Sequence, residues 1–368
     1  MVSSSFLPGR GGIESYLAEL CSALAPRLAV LAPGRRDGVA LPEDLGYSAY
    51  GFRGKLYVPG PRAARAIVAA AAEVGTDRVL YGTPWPQILT GPRIRKAGLR
   101  YAAIVHGAEL LVPAAIPGVR AKLVEALAGA ELLLPVSLFT GARIRALLER
   151  AGVPVPPLAV LRARVDLDRF RPGAGRAEAR RRLNVDADTP VVLCFGRMVA
   201  RKGLDRLVAA LPAIAERVPG VTLVLAGTGP EEKALRRAAA RIPQRVVFAG
   251  RVPEAEAPGV FAAADVFALP VADRWFGLDT EGLGVVLLEA SACEVPCVTG
   301  RSGGPPEAVV DGVTGFVVDA REEGRLTTAI VRLLSDEGLA RRMGEAGRRH
   351  VSDEFGGRLP TALTEWLQ

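Results

Sequence analysis

The chain of 368 residues is 49% hydrophobic and 23% charged, a composition typical of globular proteins. Its length is enough for two domains with separate cores. The formal net charge of +8 lies in the first half, because residues 1–170 hold 21 Lys and Arg against 13 Asp and Glu, whereas residues 171–368 hold 26 of each. No run of eighteen apolar residues and no secretory pattern occurs, so we expect a cytoplasmic protein.

The basic first half favours an anionic partner. Nucleic acid is disfavoured, because the basic residues are not interleaved with aromatic ones. We therefore expect peripheral contact of this half with the anionic inner face of the plasma membrane, and a solvated surface without a partner is the alternative. The four cysteines lack the neighbours of a zinc site and are interpreted as reduced core thiols: Cys21, Cys194, Cys293 and Cys297.

In chain order, short apolar runs alternate with helix-like segments. The first half predicts helices over 13–24, 63–75 and 88–98, strands over 28–33, 78–82 and 101–107, and a helix followed by a strand within 123–137. After a proline-rich connector over 154–172, the pattern predicts helices over 177–185, 204–218 and 231–242 and strands that begin near 191, 222 and 246, and a further apolar run follows over 260–270. Helical segments close the chain over 339–351 and 358–368, with Gly356–Gly357 as a break.

This alternation predicts an α/β fold with two doubly wound parallel sheets. The predicted domains are 1–170, 171–350 and a closing helix over 351–368. In such sheets the ligand binds at the carboxyl ends of the strands, here in the cleft between the two halves.

Two strand ends of the first half carry candidate site residues. Gly11 and Gly12 belong to a glycine-rich turn before the first helix, where the backbone can approach a phosphate closely. His106 ends the strand over 101–107 at the presumed cleft. A single histidine is often structural, but this position favours a role in the site.

In the second half, Arg197 ends the first strand and Lys202 opens the helix that follows. This placement aims two cations at one point of phosphate size. Lys202 is one of only five lysines beside 42 arginines, so composition alone does not account for it. The turn over 227–230 lacks the third glycine of a dinucleotide fingerprint and is interpreted as packing.

The stretch over 279–311 holds the largest group of candidate site residues in the chain. Glu281 and Glu289 stand eight positions apart around two glycines, and a helix is predicted from about Gly284. The amides of four residues would then be unpaired donors at a helix start: Gly282, Leu283, Gly284 and Val285. An anion site flanked by two carboxylates suits a nucleotide-sugar, with a diphosphate for the amides and hydroxyls for the glutamates.

The spacing E-G-x-G-x-x-x-x-E, followed by P-x-V-x-G-x-x-G-G-x-x-E, resembles the retaining glycosyltransferases of family GT4, which have the GT-B fold. Within that family the stretch is most similar to the actinobacterial GDP-mannose-dependent phosphatidylinositol mannosyltransferases, in the branch that acts on the monomannoside. The resemblance implies two Rossmann-like domains, an acceptor-binding first domain, a donor-binding second domain and a closing helix that crosses back to the first. It implies metal-independent transfer of an α-mannosyl group to a lipid-linked inositol mannoside or a related glycan.

The resemblance also implies residue roles. Arg197 and Lys202 hold the donor diphosphate and stabilise the departing nucleotide, Glu289 holds the ribose, and Glu281 holds the sugar together with the four amides. Further roles fall to residues at the other strand ends: backbone groups of Arg251 and Val252 pair with the base, His106 contacts the transferred sugar, and Gly11 and Gly12 lie against the donor.

Three alternatives stay open. A transferase of the same fold that uses UDP-glucose, UDP-GlcNAc or another donor would share every motif. A nicotinamide-dependent oxidoreductase is suggested by the alternation alone, but the chain lacks its fingerprint. A non-catalytic lipid-binding protein is suggested only by the basic first half.

Overall fold

The computed structural model describes residues 1–7, 11–36, 39–42, 44–52, 58–274 and 277–368. Its strands, in chain order, are β1 (Ala29–Pro33), β2 (Arg35–Arg36), β3 (Val39–Ala40), β4 (Ser48–Phe52), β5 (Arg78–Tyr81), β6 (Arg100–Val105), β7 (Leu132–Pro135), β8 (Val191–Phe195), β9 (Thr222–Ala226), β10 (Val246–Gly250), β11 (Val266–Leu269), β12 (Cys297–Gly300) and β13 (Gly315–Val318).

The α-helices are α1 (Gly12–Leu24), α2 (Pro61–Glu73), α3 (Gly91–Lys96), α4 (Ala108–Ala114), α5 (Pro117–Ala128), α6 (Leu138–Arg150), α7 (Arg176–Arg182), α8 (Leu204–Ala215), α9 (Glu232–Ala239), α10 (Ala257–Ala262), α11 (Val285–Ala292), α12 (Glu323–Ser335), α13 (Glu337–Phe355) and α14 (Thr361–Trp366). Short 3-10 helices occur at 87–90, 200–202, 254–256 and 305–307.

The chain forms two compact units. Unit 1 consists of Met1–Arg164 together with Arg358–Gln368, and unit 2 is the continuous segment Val165–Gly357. The sequence pattern places its divisions at residues 170 and 350, whereas the contacts of the structure divide the chain at 164 and 357. The closing helix α14 belongs to unit 1, where it contacts β7.

Unit 2 is built on a six-stranded parallel sheet with the strand order β10-β9-β8-β11-β12-β13. Its central strands are short apolar runs, and β9 and β11 are buried at every position. Such runs suit a parallel sheet that is covered on both faces. The helices form two packed groups accordingly, one of α8, α9 and α12 and the other of α7, α10, α11 and α13.

Unit 1 has two parallel groups of strands, β1 with β4 and β5 with β6 and β7. Val2 forms parallel bridges to Leu31 of β1 and to Tyr81 of β5, and so joins the two groups. The pairing stops there because Ser3 and Ser4 turn to the side chain of Thr83, whose Oγ1 lies 3.1 and 3.2 Å from their hydroxyl oxygens. A side-chain cluster thus replaces the ladder.

Candidate active site

The first part of the site is the turn after β8 in unit 2. Gly196 has φ +135°, and a Cβ on it would lie 3.2 Å from Nζ of Lys202. Gly203 has φ +70°, and a Cβ there would lie 2.1 Å from the carbonyl oxygen of Pro270. Only glycine fits both positions without strain. The two glycines let Lys202 fold back against the strand end, where 7% of the residue is exposed.

Arg197 lies on the same turn but in a different environment. It is exposed, and its guanidinium makes no ion pair or hydrogen bond to any residue of the described chain. Of the two cations predicted to bind phosphate, the structure therefore buries Lys202 and exposes Arg197. The sequence prediction treats the two as equivalent.

The second part of the site is the start of helix α11. Gly284 is its N-cap with φ +77° and ψ +60°, and the helix begins at Val285, three residues after Gly282. Across the described residues, the amides of Gly282, Leu283, Gly284 and Val285 donate no backbone hydrogen bond. Unpaired amides at the positive end of a helix dipole attract anions. This geometry is the one predicted from the sequence.

The two parts meet at Glu281. Its Oε1 lies 3.6 Å from Nζ of Lys202, and its Oε2 accepts a hydrogen bond of 3.1 Å from Nε of Arg201. Arg201 also donates from Nη1 to Oδ1 of Asp279 at 3.2 Å. Burial acts to raise the pKa of the Glu281 carboxyl, but the positive charges of Lys202 and Arg201 outweigh burial and hold this pKa below its ordinary value. Glu281 is therefore a carboxylate at neutral pH.

Glu289 has the opposite electrostatic environment. It lies in the second turn of α11, partly buried, and its carboxyl makes no ion pair or hydrogen bond within the described part of the chain. Burial raises the pKa of this carboxyl to about 7, although the charge of Arg169 offsets part of the rise. The carboxyl is thus left available to accept hydrogen bonds from a ligand.

A glycine loop closes against the backbone of Glu281. Gly304 donates from its amide to the carbonyl oxygen of Glu281 at 3.0 Å. Gly303 has φ +75°, and a Cβ there would lie 2.3 Å from the same carbonyl oxygen. Glycine at 303 is therefore required both by backbone conformation and by space.

Two more strand ends of unit 2 border this region of the sheet. Gly250 ends β10 with φ +65° and accepts from the amide of Gly227 at 2.7 Å. Arg251 follows as an exposed residue and Val252 is half-buried. A Cβ on Gly229 would lie 2.3 Å from the carbonyl oxygen of Met198, so close packing of the turn over 227–230 requires glycine at this position.

In unit 1, His106 follows β6 at the carboxyl ends of β5 and β6. Its Nε2 lies 2.9 Å from the carbonyl oxygen of Gly82, and its ring packs edge-on against Tyr16 with 5.4 Å between centroids. These contacts fix the orientation of the imidazole. The predicted position at a strand end is confirmed, and its role stays a prediction.

Gly11 and Gly12 lie at the start of α1, as its N-cap and first residue, and both are exposed. A Cβ on Gly12 would meet nothing within 4 Å, whereas one on Gly11 would lie 2.6 Å from Oε2 of Glu14. The two preceding residues of the glycine-rich turn, Gly9 and Arg10, lie outside the described residues.

Comparison with known proteins identifies the family. The family model of glycosyl transferases group 1 matches residues 175–350. The chain is 39% identical over 364 residues to the GDP-mannose-dependent alpha-(1-6)-phosphatidylinositol monomannoside mannosyltransferase of Mycolicibacterium smegmatis. The alignment covers 96% of this chain and 94% of the relative. It is 34% identical to the GDP-mannose-dependent monoacylated alpha-(1-6)-phosphatidylinositol monomannoside mannosyltransferase of Corynebacterium glutamicum, over 96% and 93% of the two chains. The chain belongs to the glycosyl transferase group 1 family.

Solved structures support the fold of this group 1 glycosyltransferase. HepE of Anabaena in complex with UDP-glucose superposes with a TM-score of 0.79 at 21% identity, over 100% of this chain and 97% of HepE. WaaG, a glycosyltransferase involved in lipopolysaccharide biosynthesis, superposes with a TM-score of 0.75 at 18% identity over the whole of both chains. The predicted fold class, GT-B with two Rossmann-like parallel-sheet domains, is confirmed.

The sequence prediction missed two residues that contact the site of this glycosyltransferase. Arg201 stands next to Lys202 in the motif, and Asp279 opens the stretch over 279–311, but neither receives a role from the sequence. With 42 arginines in the chain, an additional arginine beside a lysine carries little information. The available signal was the pairing of a cation with two carboxylates two positions apart, Asp279 and Glu281.

The glycosyltransferase was also compared with the requirements of a metal site, a membrane span and a disulfide, and its described residues meet none of them. Within the described ranges, no group of three or more His, Cys, Asp or Glu side chains is arranged to hold a metal ion. None of the helices in the same ranges is long and apolar enough to cross a membrane. All four cysteines are buried free thiols, as predicted.

Proposed function

We propose that this chain is a retaining, metal-independent α-mannosyltransferase that uses GDP-mannose and acts on a lipid-linked inositol mannoside or a related glycan. The observation that carries the proposal is the pair of buried Lys202 and partly buried Glu281, 3.6 Å apart beside the free amides that begin α11. The donor and acceptor are supported by the 39% identity, over 96% of the chain, to an enzyme named for GDP-mannose and phosphatidylinositol monomannoside.

The diphosphate of the donor suits the cations and amides of unit 2. Lys202 is buried, so its charge is weakly screened, and the amides of Gly282 to Val285 add donors at a helix start. Arg197 has no partner in the described chain and is available to a phosphate oxygen. These groups stabilise the negative charge that develops on the departing nucleotide.

The two glutamates suit the two sugars of the donor. Glu281 is ionised and fixed, so it orients the hydroxyls of mannose and stabilises positive charge at the anomeric carbon. Glu289 has a carboxyl free to accept from the ribose hydroxyls. Backbone groups of Arg251 and Val252 pair with the base. In unit 1, His106 contacts the transferred mannose, and Gly11 with Gly12 allow close approach of the donor.

Retention of the α configuration at the anomeric carbon then follows, because the leaving group departs from the same face of the sugar on which the acceptor attacks. The bond between the anomeric carbon and the diphosphate oxygen breaks, and the acceptor hydroxyl oxygen forms its bond from the same side. The proton of that hydroxyl passes to the leaving phosphate oxygen. No carboxylate acts as a covalent nucleophile in this scheme.

A donor panel tests the proposal. Purified protein is incubated with phosphatidylinositol monomannoside and GDP-mannose, UDP-glucose or UDP-GlcNAc, and products are identified by mass spectrometry. We expect a product one hexose heavier with GDP-mannose alone, with α configuration by NMR. Turnover only with a UDP-sugar would replace the donor assignment. If calorimetry detects binding of NAD and no sugar is transferred from any donor, an oxidoreductase is favoured.

Metal independence is tested in the same assay. We expect the rate to stay within about twofold after removal of divalent cations with EDTA, because Lys202, Arg197 and the helix amides supply the charge that a metal would otherwise provide. Loss of activity in EDTA that returns with added Mg²⁺ or Mn²⁺ would contradict this part of the proposal.

The membrane partner is tested with vesicles. The basic half of the chain supports binding to an anionic surface, and such binding weakens as salt rises. We expect co-sedimentation with vesicles that contain phosphatidylinositol but not with neutral phosphatidylcholine vesicles at low salt. Equal amounts of protein sedimented with both kinds of vesicle would contradict selective binding to an anionic membrane.

A further inference from the structure

We propose that Arg201 is a positioning residue for the donor sugar: it fastens Glu281 to Asp279 and so holds the sugar-binding carboxylate in place. The proposal rests on the function proposed above, because it takes Glu281 as the contact of the transferred sugar. It adds two residues to the site, Arg201 and Asp279, and assigns them to the sugar and not to the diphosphate.

The guanidinium of Arg201 is divided between two carboxylates. Nε donates to Oε2 of Glu281 at 3.1 Å and Nη1 donates to Oδ1 of Asp279 at 3.2 Å. The three side chains are 14–25% exposed, so water competes only weakly for these bonds. The planar guanidinium group donates in two fixed directions and so fixes the orientation of the Glu281 carboxylate, whereas the amine of a lysine would not.

Both ends of this bridge are fixed to the backbone of unit 2. The carbonyl oxygen of Arg201 accepts from the amide of Ala272 at 2.9 Å. Asp279 and Arg274 exchange backbone hydrogen bonds of 3.1 and 3.3 Å. The main chain of Arg201 is therefore fixed, and its guanidinium can turn toward a ligand only by breaking its hydrogen bonds to Glu281 and Asp279.

The neighbouring cations, Lys202 and Arg197, contact Glu281 less tightly than Arg201 does or not at all. Nζ of Lys202 lies 3.6 Å from Oε1 of Glu281, which is longer than a hydrogen bond, so the amine attracts the carboxylate without fixing its direction. Arg197 is exposed and has no partner in the described chain. Lys202 and Arg197 are thus free to turn to a phosphate, whereas the charge of Arg201 is already matched by two carboxylates.

This division predicts a selective defect. Without Arg201, Glu281 keeps only the loose attraction of Lys202 and loses its fixed orientation. A ligand that contains the transferred sugar then binds more weakly, whereas a nucleoside diphosphate that lacks this sugar makes no contact with Glu281 and keeps its affinity. A residue that merely supported the fold, or that bound phosphate, would weaken both ligands together.

Calorimetry with GDP and with GDP-mannose tests the inference on the full chain. For Arg201→Ala we expect the Kd of GDP-mannose to rise about tenfold and the Kd of GDP to stay within about twofold. Arg201→Lys keeps the charge but loses the fork, so it recovers part of the loss. Arg237→Ala, which removes an exposed arginine of the same unit, is the matched control and leaves both values unchanged.

Two further variants complete the test. In a Glu281→Gln background, loss of Arg201 adds no further weakening for GDP-mannose, because its effect runs through Glu281. Asp279→Asn keeps the shape of the side chain and weakens GDP-mannose alone by about threefold, which provides the test if Arg201→Ala does not fold. Equal weakening of GDP and GDP-mannose, or no change in either, overturns the inference. If the protein prefers UDP-glucose, the donor assignment fails, and the pair of UDP and UDP-glucose tests Arg201 in the same way.

Discussion

Lys202 carries a positive charge at a position that is 7% exposed, and the electrostatics of the site depend on that burial. We expect Lys202→Ala to lower kcat by a hundredfold or more, on the order of 3 kcal/mol, because a charge weakly screened by water stabilises the leaving diphosphate. The measurement is steady-state transfer from GDP-mannose. Lys233→Ala, at an exposed lysine of the same unit, is the control. Near-normal turnover in Lys202→Ala would refute the assigned role.

Glu289 makes stability depend on pH. Burial raises the pKa of this carboxyl in the folded protein to about 7, against 4.5 as its ordinary value. Between these values the unfolded chain binds fewer protons than the folded chain, so the free energy of unfolding falls as pH rises, by up to about 3 kcal/mol. We expect Glu289→Gln to reduce the difference between the unfolding midpoints at pH 5 and pH 8.

The control for that experiment is Glu216→Gln, which removes a carboxyl at an exposed position of the same unit. It should leave the pH dependence as in the unaltered protein. A Glu289→Gln variant with the same pH dependence as the unaltered protein would show that the Glu289 carboxyl is not held in a raised-pKa environment.

At the scale of single residues, the sequence was informative where spacing is rigid. Glu281, Gly284 and Glu289 were identified from the spacing of one motif, and the helix begins within one residue of its predicted start. The burial of Lys202 and the exposure of Arg197 could not be predicted, because both depend on how Gly196 and Gly203 turn the chain. The bridge made by Arg201 depends on a loop that approaches from a distant part of the sequence.

At the scale of elements, the start of α11 depends on a loop that is 19 residues further along the chain. Gly303 and Gly312 have the same φ of +75°, but only Gly303 has a backbone oxygen, that of Glu281, in the way of a Cβ. We expect Gly312→Ala to cost about 1 kcal/mol for the strained φ alone and Gly303→Ala to cost about 2 kcal/mol or more.

Gly303→Ala should also weaken GDP-mannose binding, because relief of the clash displaces Glu281. Unfolding midpoints and calorimetric Kd values for the two variants provide the measurement. If both variants lose the same stability and bind the donor equally well, the loop does not support the site.

Alternating strands and helices were predictable because each apolar run has the length and composition of a strand buried on both faces. At the start of the chain, the pattern did not indicate that the pairing ends at Val2, after which the seryl side chains bond to Thr83. Local composition gives no sign of a partner 80 positions away.

At the scale of the molecule, α14 completes unit 1 from the far end of the chain. Leu363 is fully buried, and Nε1 of Trp366 donates to Oε2 of Glu131 at 2.9 Å. We expect Leu363→Ala to destabilise unit 1 by about 2–5 kcal/mol through the cavity it leaves. Hydrogen exchange should quicken in β7 and stay unchanged in β8 of unit 2.

Glu365→Ala, at an exposed position of the same helix, is the control for this variant and should leave exchange in β7 as it is. Faster exchange in both β7 and β8 after Leu363→Ala would contradict the view that α14 stabilises unit 1 selectively.

The order in which the units are encoded has a consequence for synthesis. Unit 2 is one uninterrupted segment, Val165–Gly357, set between the two segments of unit 1. A ribosome therefore releases the whole of unit 2 before it delivers Arg358–Gln368, so unit 1, whose larger segment is translated first, is the last to be completed. Until those eleven residues emerge, the surface of β7 that α14 contacts stays uncovered on the nascent chain.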